Sequence, residues 1–295
     1  MSSLLDPKIL MSIKDLSLVA KKTIDGFMTG NNKSSVKGTG LEFSQYRSYQ
    51  PGDDLRWLDW KMYARSDRYY IRESEIETSI SVSFLIDASN SMNHRDKNVA
   101  KIDYAKYLAA SLGYLAHLHG DAIGLYVFQD GEIFSLSSKR DSQHMARFYY
   151  QLENISPKGK FINPVQYRHL FTANPKKELL VFISDFYEHN GEIMQLLNTL
   201  SSLRHEIIAF HLMSANEMQM DYEGYDEVED LETGKNVHIN SKLQSEIYKQ
   251  NLQQYLQSLR MQLLDKNIFY RLMTTDKPLE EALRDFLKQR AKTII

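Results

Sequence analysis

The sequence predicts an α/β fold, a three-layer, doubly wound and mostly parallel sheet with a small decorating subdomain at its N-terminal side. Three observations carry this expectation. Short, strongly apolar runs recur at Ser81–Ile86, Ala122–Phe128, Leu179–Ser184 and Ile207–Leu212. Stretches with apolar residues at helical spacing separate them, at about 99–118, 142–153 and 192–203. Runs of about four to eight residues bounded by turn signals read as strands buried on both faces. Their alternation with helices is what right-handed crossovers in a parallel sheet require.

Taken in order, residues 8–28 carry Ile9, Leu10, Ile13, Leu16, Leu18, Val19, Ile24 and Phe27 at helical spacing, so a helix is expected there. Residues 30–40 (GNNKSSVKGTG) read as a loop. The segment 43–77 is dense in aromatic and charged residues around a turn at Gln50-Pro51-Gly52-Asp53, and resembles neither a clean helix nor a clean strand. From Ser79 the strand–helix alternation begins. The turn Gln129-Asp130-Gly131 leads to a short strand near 132–136, and a further helix is expected over 164–171. Residues 217–230 hold seven acidic side chains and no Lys or Arg, and read as a solvated loop. Thr233-Gly234 then marks a turn between short strands at 227–231 and 236–239, a β-hairpin insertion around 220–240. A long helix over 242–264, a strand over 268–273 and a helix over 279–289 close the chain. The expected division is therefore 1–78, helix plus aromatic segment, and 79–295, the α/β domain.

The 295 residues are 42% hydrophobic and 25% charged, ordinary globular proportions. With 36 basic and 38 acidic side chains the formal charge is −2, so no global field favours nucleic acid or an anionic membrane. There are no cysteines, which excludes disulfides, thiolate metal sites and a cysteine nucleophile. The first residues show no signal-peptide pattern, and the longest clean apolar run, 179–183, is far short of the roughly 20 residues of a spanning helix. A cytoplasmic location without membrane insertion is expected.

The chemistry concentrates at two strand ends. The first core strand runs into Asp87-Ala88-Ser89-Asn90-Ser91, and the third into Asp185. Ligands of doubly wound sheets bind beyond the carboxyl ends of the strands, and neighbouring parallel strands would bring both aspartates to one edge. Carboxylates and hydroxyls are hard oxygen donors suited to Mg²⁺ or Mn²⁺. The same residues could instead cap the turn, with Asp87 accepting backbone N–H groups. The strand–DASNS–helix unit resembles the metal-ion-dependent adhesion site (MIDAS) of von Willebrand factor A domains. That resemblance implies Asp87, Ser89, Ser91 and Asp185 as metal ligands. It also implies a Thr ligand from a loop near Pro157-Lys158-Gly159-Lys160-Phe161, where this chain has Lys160 and Phe161 instead; Lys160 could stand where the cation would.

The upstream segment is similar to the signature of the domain-of-unknown-function 58 family. It comprises Arg47, Tyr49, Pro51, Gly52, Asp53, Arg56, Trp57, Asp59, Trp60 and Arg65. The resemblance implies a bacterial, non-enzymatic protein-binding adaptor acting with a MoxR-type AAA+ ATPase, or with that ATPase's client. Read without the family, the interleaved Arg and aromatic residues suggest either a nucleic-acid surface or a small subdomain anchored by Trp57 and Trp60. Asp53, Asp54, Asp59, Asp67, Glu73 and Glu75 neutralise the basic residues and favour the second. Walker, dinucleotide-loop, nucleophile-elbow and His-x-x-x-His patterns are absent. The competing expectation is a Mg²⁺-dependent hydrolase using Asp87 and Asp185, with Lys160 to grip a phosphate.

Overall fold

In the computed structural model, residues 15–31, 46–50, 58–72, 79–97, 99–161, 177–220, 227–238 and 242–294 are described. The chain divides into two compact units, residues 33–78 and the remainder, 1–32 with 79–295.

The larger unit is built on a six-stranded sheet. Its strands are β3 (Ser81–Asp87), β6 (Ala122–Gln129), β7 (Glu132–Lys139), β8 (Glu178–Ser184), β9 (Glu206–Met213) and β12 (Phe269–Thr274). The spatial order is β12-β9-β8-β3-β6-β7, parallel throughout except for the antiparallel edge strand β7. Chain order reverses at β3, so β3 and β8 form the switch point where such sheets leave a crevice. Alternation along β3 creates two cores. Val82, Phe84 and Ile86 face one cluster with residues of α1 (Leu16–Asn31), α3 (Lys101–Leu118), α4 (Ser142–Glu153) and α8 (Glu280–Ile294). Leu85 and Phe182 face the other, with residues of α5 (Glu192–Ser202) and α7 (Lys242–Leu264). Three layers result, as the fully buried strands required.

The expected division at residue 78 differs from the observed one. Helix α1 belongs with the sheet, because Val19, Ala20, Ile24 and Phe27 form a buried stripe in the first core. Thr23 Oγ1 also meets Tyr107 Oη of α3 at 3.1 Å. Asp15 caps the helix, its Oδ1 accepting from the N–H groups of Ser17 and Leu18 at 2.9 and 3.1 Å. The expected beginning at residue 8 and the helix expected over 164–171 lie outside the described residues. Helix α3 begins at Lys101 rather than 99, because β5 (Val99–Ala100) pairs with β4 (Arg95–Asp96). The hairpin expected around 220–240 is present as β10 (Glu227–Glu229) and β11 (Asn236–His238). Between β9 and β10 lies the short helix α6 (Ala215–Gln219).

In the smaller unit, β1 (Tyr46–Ser48) pairs antiparallel with β2 (Tyr70–Arg72), and α2 (Trp60–Ser66) lies between them in sequence. Among the described residues no helix is long and apolar enough to cross a membrane.

Candidate functional site at the carboxyl rim of the sheet

Register decides what meets at the rim. Ile86 of β3 lies opposite Ile183 of β8, and Ser184 opposite His211 of β9, so Asp87, Ser184 and His211 share one level across adjacent strands. Ser184 Oγ donates to Asp87 Oδ2 at 2.6 Å and accepts from the Phe186 N–H at 2.8 Å. Asp87 Oδ1 accepts the Ser89 N–H at 2.9 Å. Ser89 Oγ lies 3.0 Å from Ser91 Oγ, and Ser91 Oγ donates to Asp185 Oδ1 at 3.1 Å. Asp87, Ser89, Ser91 and Asp185 thus form one hydrogen-bonded chain. Phe186, buried just after Asp185, has φ 55°, the left-handed region that a bulky residue occupies at a cost of about 1–3 kcal/mol. The turn aims Asp185 back at Ser91 and lets the Tyr187 N–H reach Asp185 Oδ1 at 3.2 Å.

The rim has depth. Asp87 and Ser89 are completely buried, whereas Ser91, Lys101 and Asp185 line a cleft of about 1380 Å³ whose far wall includes Asp230 and Tyr255. The expected opening therefore reaches Ser91 and Asp185 directly, with Asp87 and Ser89 one layer behind. Acidic side chains outnumber Lys and Arg around the cleft.

The cation in the structure is Lys101, the first residue of α3. Its Nζ lies 2.9 Å from Asp185 Oδ2 and 2.6 Å from Glu217 Oε1. Burial works against the ammonium, but these two carboxylates more than compensate and raise its pKa above the usual lysine range. Burial likewise pushes Asp185 up, and the Lys101 charge, helped by hydrogen bonds, reverses this and holds its carboxyl below the usual range. Asp87 lacks such a partner, and burial followed by the Asp185 charge raises its pKa to about 7. His211 stays neutral, burial lowering its pKa to about 3, with Nδ1 2.8 Å from Tyr270 Oη.

The loop 157–161 stands beside the DASNS turn as expected, but brings backbone instead of a hydroxyl. Gly159 O accepts the Asn90 N–H at 2.9 Å, and Ala88 O accepts the Lys158 N–H at 3.0 Å. Gly159 has φ +65°, and a Cβ there would collide with the Asp130 carboxylate. Phe161 turns into the core, 5.2 Å from the Phe128 ring and 6.2 Å from that of Phe182, while Lys160 is exposed. Lys160 therefore does not take the cation's place; Lys101 is the ammonium at the rim.

The acidic stretch is not simply solvated. Besides holding Lys101, Glu217 accepts the Ser214 N–H through Oε2 at 2.8 Å. Asp230 Oδ2 accepts from Tyr187 Oη at 2.6 Å, and Asn90 Nδ2 donates to Leu231 O, so the hairpin rests on both loops that carry the site. Sequence reasoning missed Lys101, Ser184, Glu217 and the hairpin contacts. Ser214-x-x-Glu217, a capping-box spacing, was the one local signal available.

The chemistry of the donor set fits a small hard cation. Asp185 and Glu217 share one buried ammonium, Asp87 adds a buried carboxyl, and Ser89 and Ser91 add hydroxyl oxygens. Among the described residues no three His, Asp or Glu side chains could hold an ion alone, so the hydroxyls and water would have to share the work.

Of the signature residues, Asp59 caps α2, its Oδ1 accepting from the N–H groups of Lys61 and Met62 at 2.9 and 3.0 Å. Trp60 is 62% exposed and Arg65 is exposed. The expectation that Trp60 anchors a core is therefore corrected. Among the described residues of this unit, Tyr63 and Tyr69 stack 4.5 Å apart at 9° and Tyr49 lies edge-on to Tyr69 at 6.2 Å. Arg47 lies on β1. Pro51, Gly52, Asp53, Arg56 and Trp57 lie outside the described residues.

Residues 45–256 match the family described as "Protein of unknown function DUF58". An uncharacterized protein of Mycobacterium tuberculosis (strain H37Rv) is 25% identical over 234 residues, 78% of this chain and 73% of that protein. An uncharacterized protein of Mycobacterium bovis matches to the same extent. Among solved structures, the conserved hypothetical protein BatB from Bacteroides thetaiotaomicron aligns with a TM-score of 0.49 and 18% identity, covering 73% of this chain and 98% of that one. The VWA domain of SpRpn10 aligns with a TM-score of 0.40 and 13% identity, covering 70% and 94%.

Proposed function

The chain belongs to the DUF58 family of unknown function, and from that premise we propose that it is a non-enzymatic, cytoplasmic binding protein whose carboxyl rim recognises a partner carboxylate through a divalent cation. The observation that carries this reading is the hydrogen-bonded chain Asp87–Ser89–Ser91–Asp185 beneath the cleft. Asp185 and Ser91 would hold Mg²⁺ or Mn²⁺ from the cleft side, and Asp87 and Ser89 would back them with charge and a hydroxyl. A bound cation would supply the positive charge that turns an acidic cleft from repelling a partner's Glu or Asp to accepting it.

The partner proposed from the family resemblance is a MoxR-type AAA+ ATPase or its client. The hydrolase alternative has less support, since Lys160 is exposed and Lys101 is held by Asp185 and Glu217. The test is recovery of such an ATPase, from the same organism, on immobilised wild type, Asp87→Ala and Asp185→Ala, each with Mg²⁺ and with a chelator. Recovery by the wild type in Mg²⁺ alone is expected. Equal recovery from all samples would reject the rim as the binding site.

A further inference from the structure

The cleft at the carboxyl rim has an apolar, aromatic side that the cation reading leaves unused. Three large hydrophobic side chains that stay exposed line it: Tyr187 at 38%, Leu231 at 38% and Tyr255 at 44%. Val228 of the hairpin and Leu252 of α7 extend the same lining. Apolar side chains scattered singly over a surface are normal, but gathered in one concavity they mark an interaction site.

Both tyrosines are held by their hydroxyl ends. Tyr187 Oη donates to Asp230 Oδ2 at 2.6 Å, and Tyr255 Oη donates to Phe186 O at 3.1 Å. With the phenol oxygens tied to the protein, a ligand meets mostly ring. A ring already fixed loses little freedom when it is covered, and its face attracts cations, Arg above all. The left-handed backbone at Phe186 thus serves twice: the turn that aims Asp185 also presents the carbonyl that fixes Tyr255.

Charge selects the occupant. Eight Asp or Glu side chains and three Lys or Arg line the cleft, against 38 and 36 in the whole chain. Lys101 is engaged by Asp185 and Glu217, so among the lining residues only Arg95 and Lys97 remain to offset the other carboxylates. Such a lining repels an anionic ligand and draws in a cationic one. The cleft, about 1380 Å³, also exceeds the roughly 300–1,000 Å³ of a small-molecule pocket and has room for several residues of a polypeptide.

We infer that this cleft docks a basic segment of a partner protein. An Arg or Lys of that segment lies against the Tyr255 ring among the carboxylates, and a neighbouring aliphatic residue meets Leu231. Such docking needs no bound metal: it uses the partner's basic residues, where the rim takes an acidic one.

Fluorescence anisotropy with the full chain tests this, using a labelled peptide of alternating arginine and leucine. Two counterpart peptides carry glutamate in place of arginine and serine in place of leucine. A chelator is present throughout, which keeps the result independent of any cation at the rim. The arginine–leucine peptide should bind the wild type more tightly than either counterpart, and its affinity should fall as salt is raised. Tyr255→Ala should bind it roughly fivefold or more weakly, while Tyr255→Phe, which keeps the ring, should stay within about twofold of the wild type. Exposed Glu229 gives a second variant that leaves the packing alone, and Glu229→Gln should lose about two- to threefold. Glu132→Gln and Tyr150→Ala, an exposed acid and an exposed ring outside the cleft, should bind like the wild type. Equal affinity of the wild type, Tyr255→Ala and Glu229→Gln, or of the three peptides, would overturn the inference. Dimerisation of the wild type that Tyr255→Ala abolishes, with no peptide bound, would give the cleft to a second copy of the chain and overturn it as well.

Discussion

The two rims of the sheet handle a buried acid in opposite ways. At the amino rim, Asp121 precedes β6 and is completely buried. Its Oδ1 accepts the Ile80 N–H at 3.0 Å and Arg290 Nη2 at 2.8 Å, and its Oδ2 accepts Arg290 Nε at 2.5 Å. The planar guanidinium matches the carboxylate, the charges balance, and the pair ties α8 to the start of two strands. At the carboxyl rim, Asp185 and Glu217 share the buried ammonium of Lys101, Asp87 is buried against hydroxyl and backbone donors, and an oxygen of Glu232 is left over. The first arrangement is closed and complete. The second is satisfied only in part and opens onto a cleft, which separates a fastening from a site.

Changes at each rim sharpen that contrast. Arg290→Met should cost the most, about 3–5 kcal/mol by chemical denaturation, because it strands buried Asp121 without the guanidinium that pairs it; Mg²⁺ should not restore any of this. Lys101→Met should cost about 3 kcal/mol without cation, since it leaves Asp185 and Glu217 unpaired. Here Mg²⁺ should recover a measurable part, and failure to recover any would erase the distinction between the rims. The next effect is read from pH. His211 is neutral in the fold, with its pKa lowered to about 3 from 6.5. The unfolded chain therefore binds the extra proton first as pH falls. The stability His211 contributes is complete above about 6.5 and is lost progressively towards 3. His211→Gln should flatten the acid side of a melting-temperature profile in that window, and an unchanged slope would contradict the assignment. The smallest effect belongs to the other unit, where Trp60→Ala should change stability by no more than about 0.5 kcal/mol, its side chain being exposed.

The pattern of what was legible in the sequence follows the range of the forces involved. Strands β3, β6, β8 and β9 were readable because burial on both faces forces unbroken apolar runs, a local property. Asp87 and Asp185 were readable as neighbours because both directly follow such runs, and parallel pairing brings strand ends together. Lys101 was not. Nothing near it in sequence calls for a buried ammonium; Asp185 and Glu217, 84 and 116 positions further along the chain, create the need. Glu232 lay beside the Thr233-Gly234 turn of the expected hairpin, where nothing local calls for a buried carboxyl; its side chain is 1% exposed. The boundary near residue 78 misplaced α1 for a related reason. Its apolar stripe was evident, but the surface that covers it comes from α3, far downstream. The unmatched Thr position was visible in the sequence; that Phe161 fills the core there was not.

The central claim is that the carboxyl rim is a cation site awaiting an outside carboxylate. Isothermal calorimetry with Mg²⁺ on the wild type, Asp185→Ala and Arg290→Met tests it most directly. One ion should bind the wild type and Arg290→Met alike, with affinity lowered at least about tenfold in Asp185→Ala. Absence of binding to the wild type, or equal binding to Asp185→Ala, would contradict it.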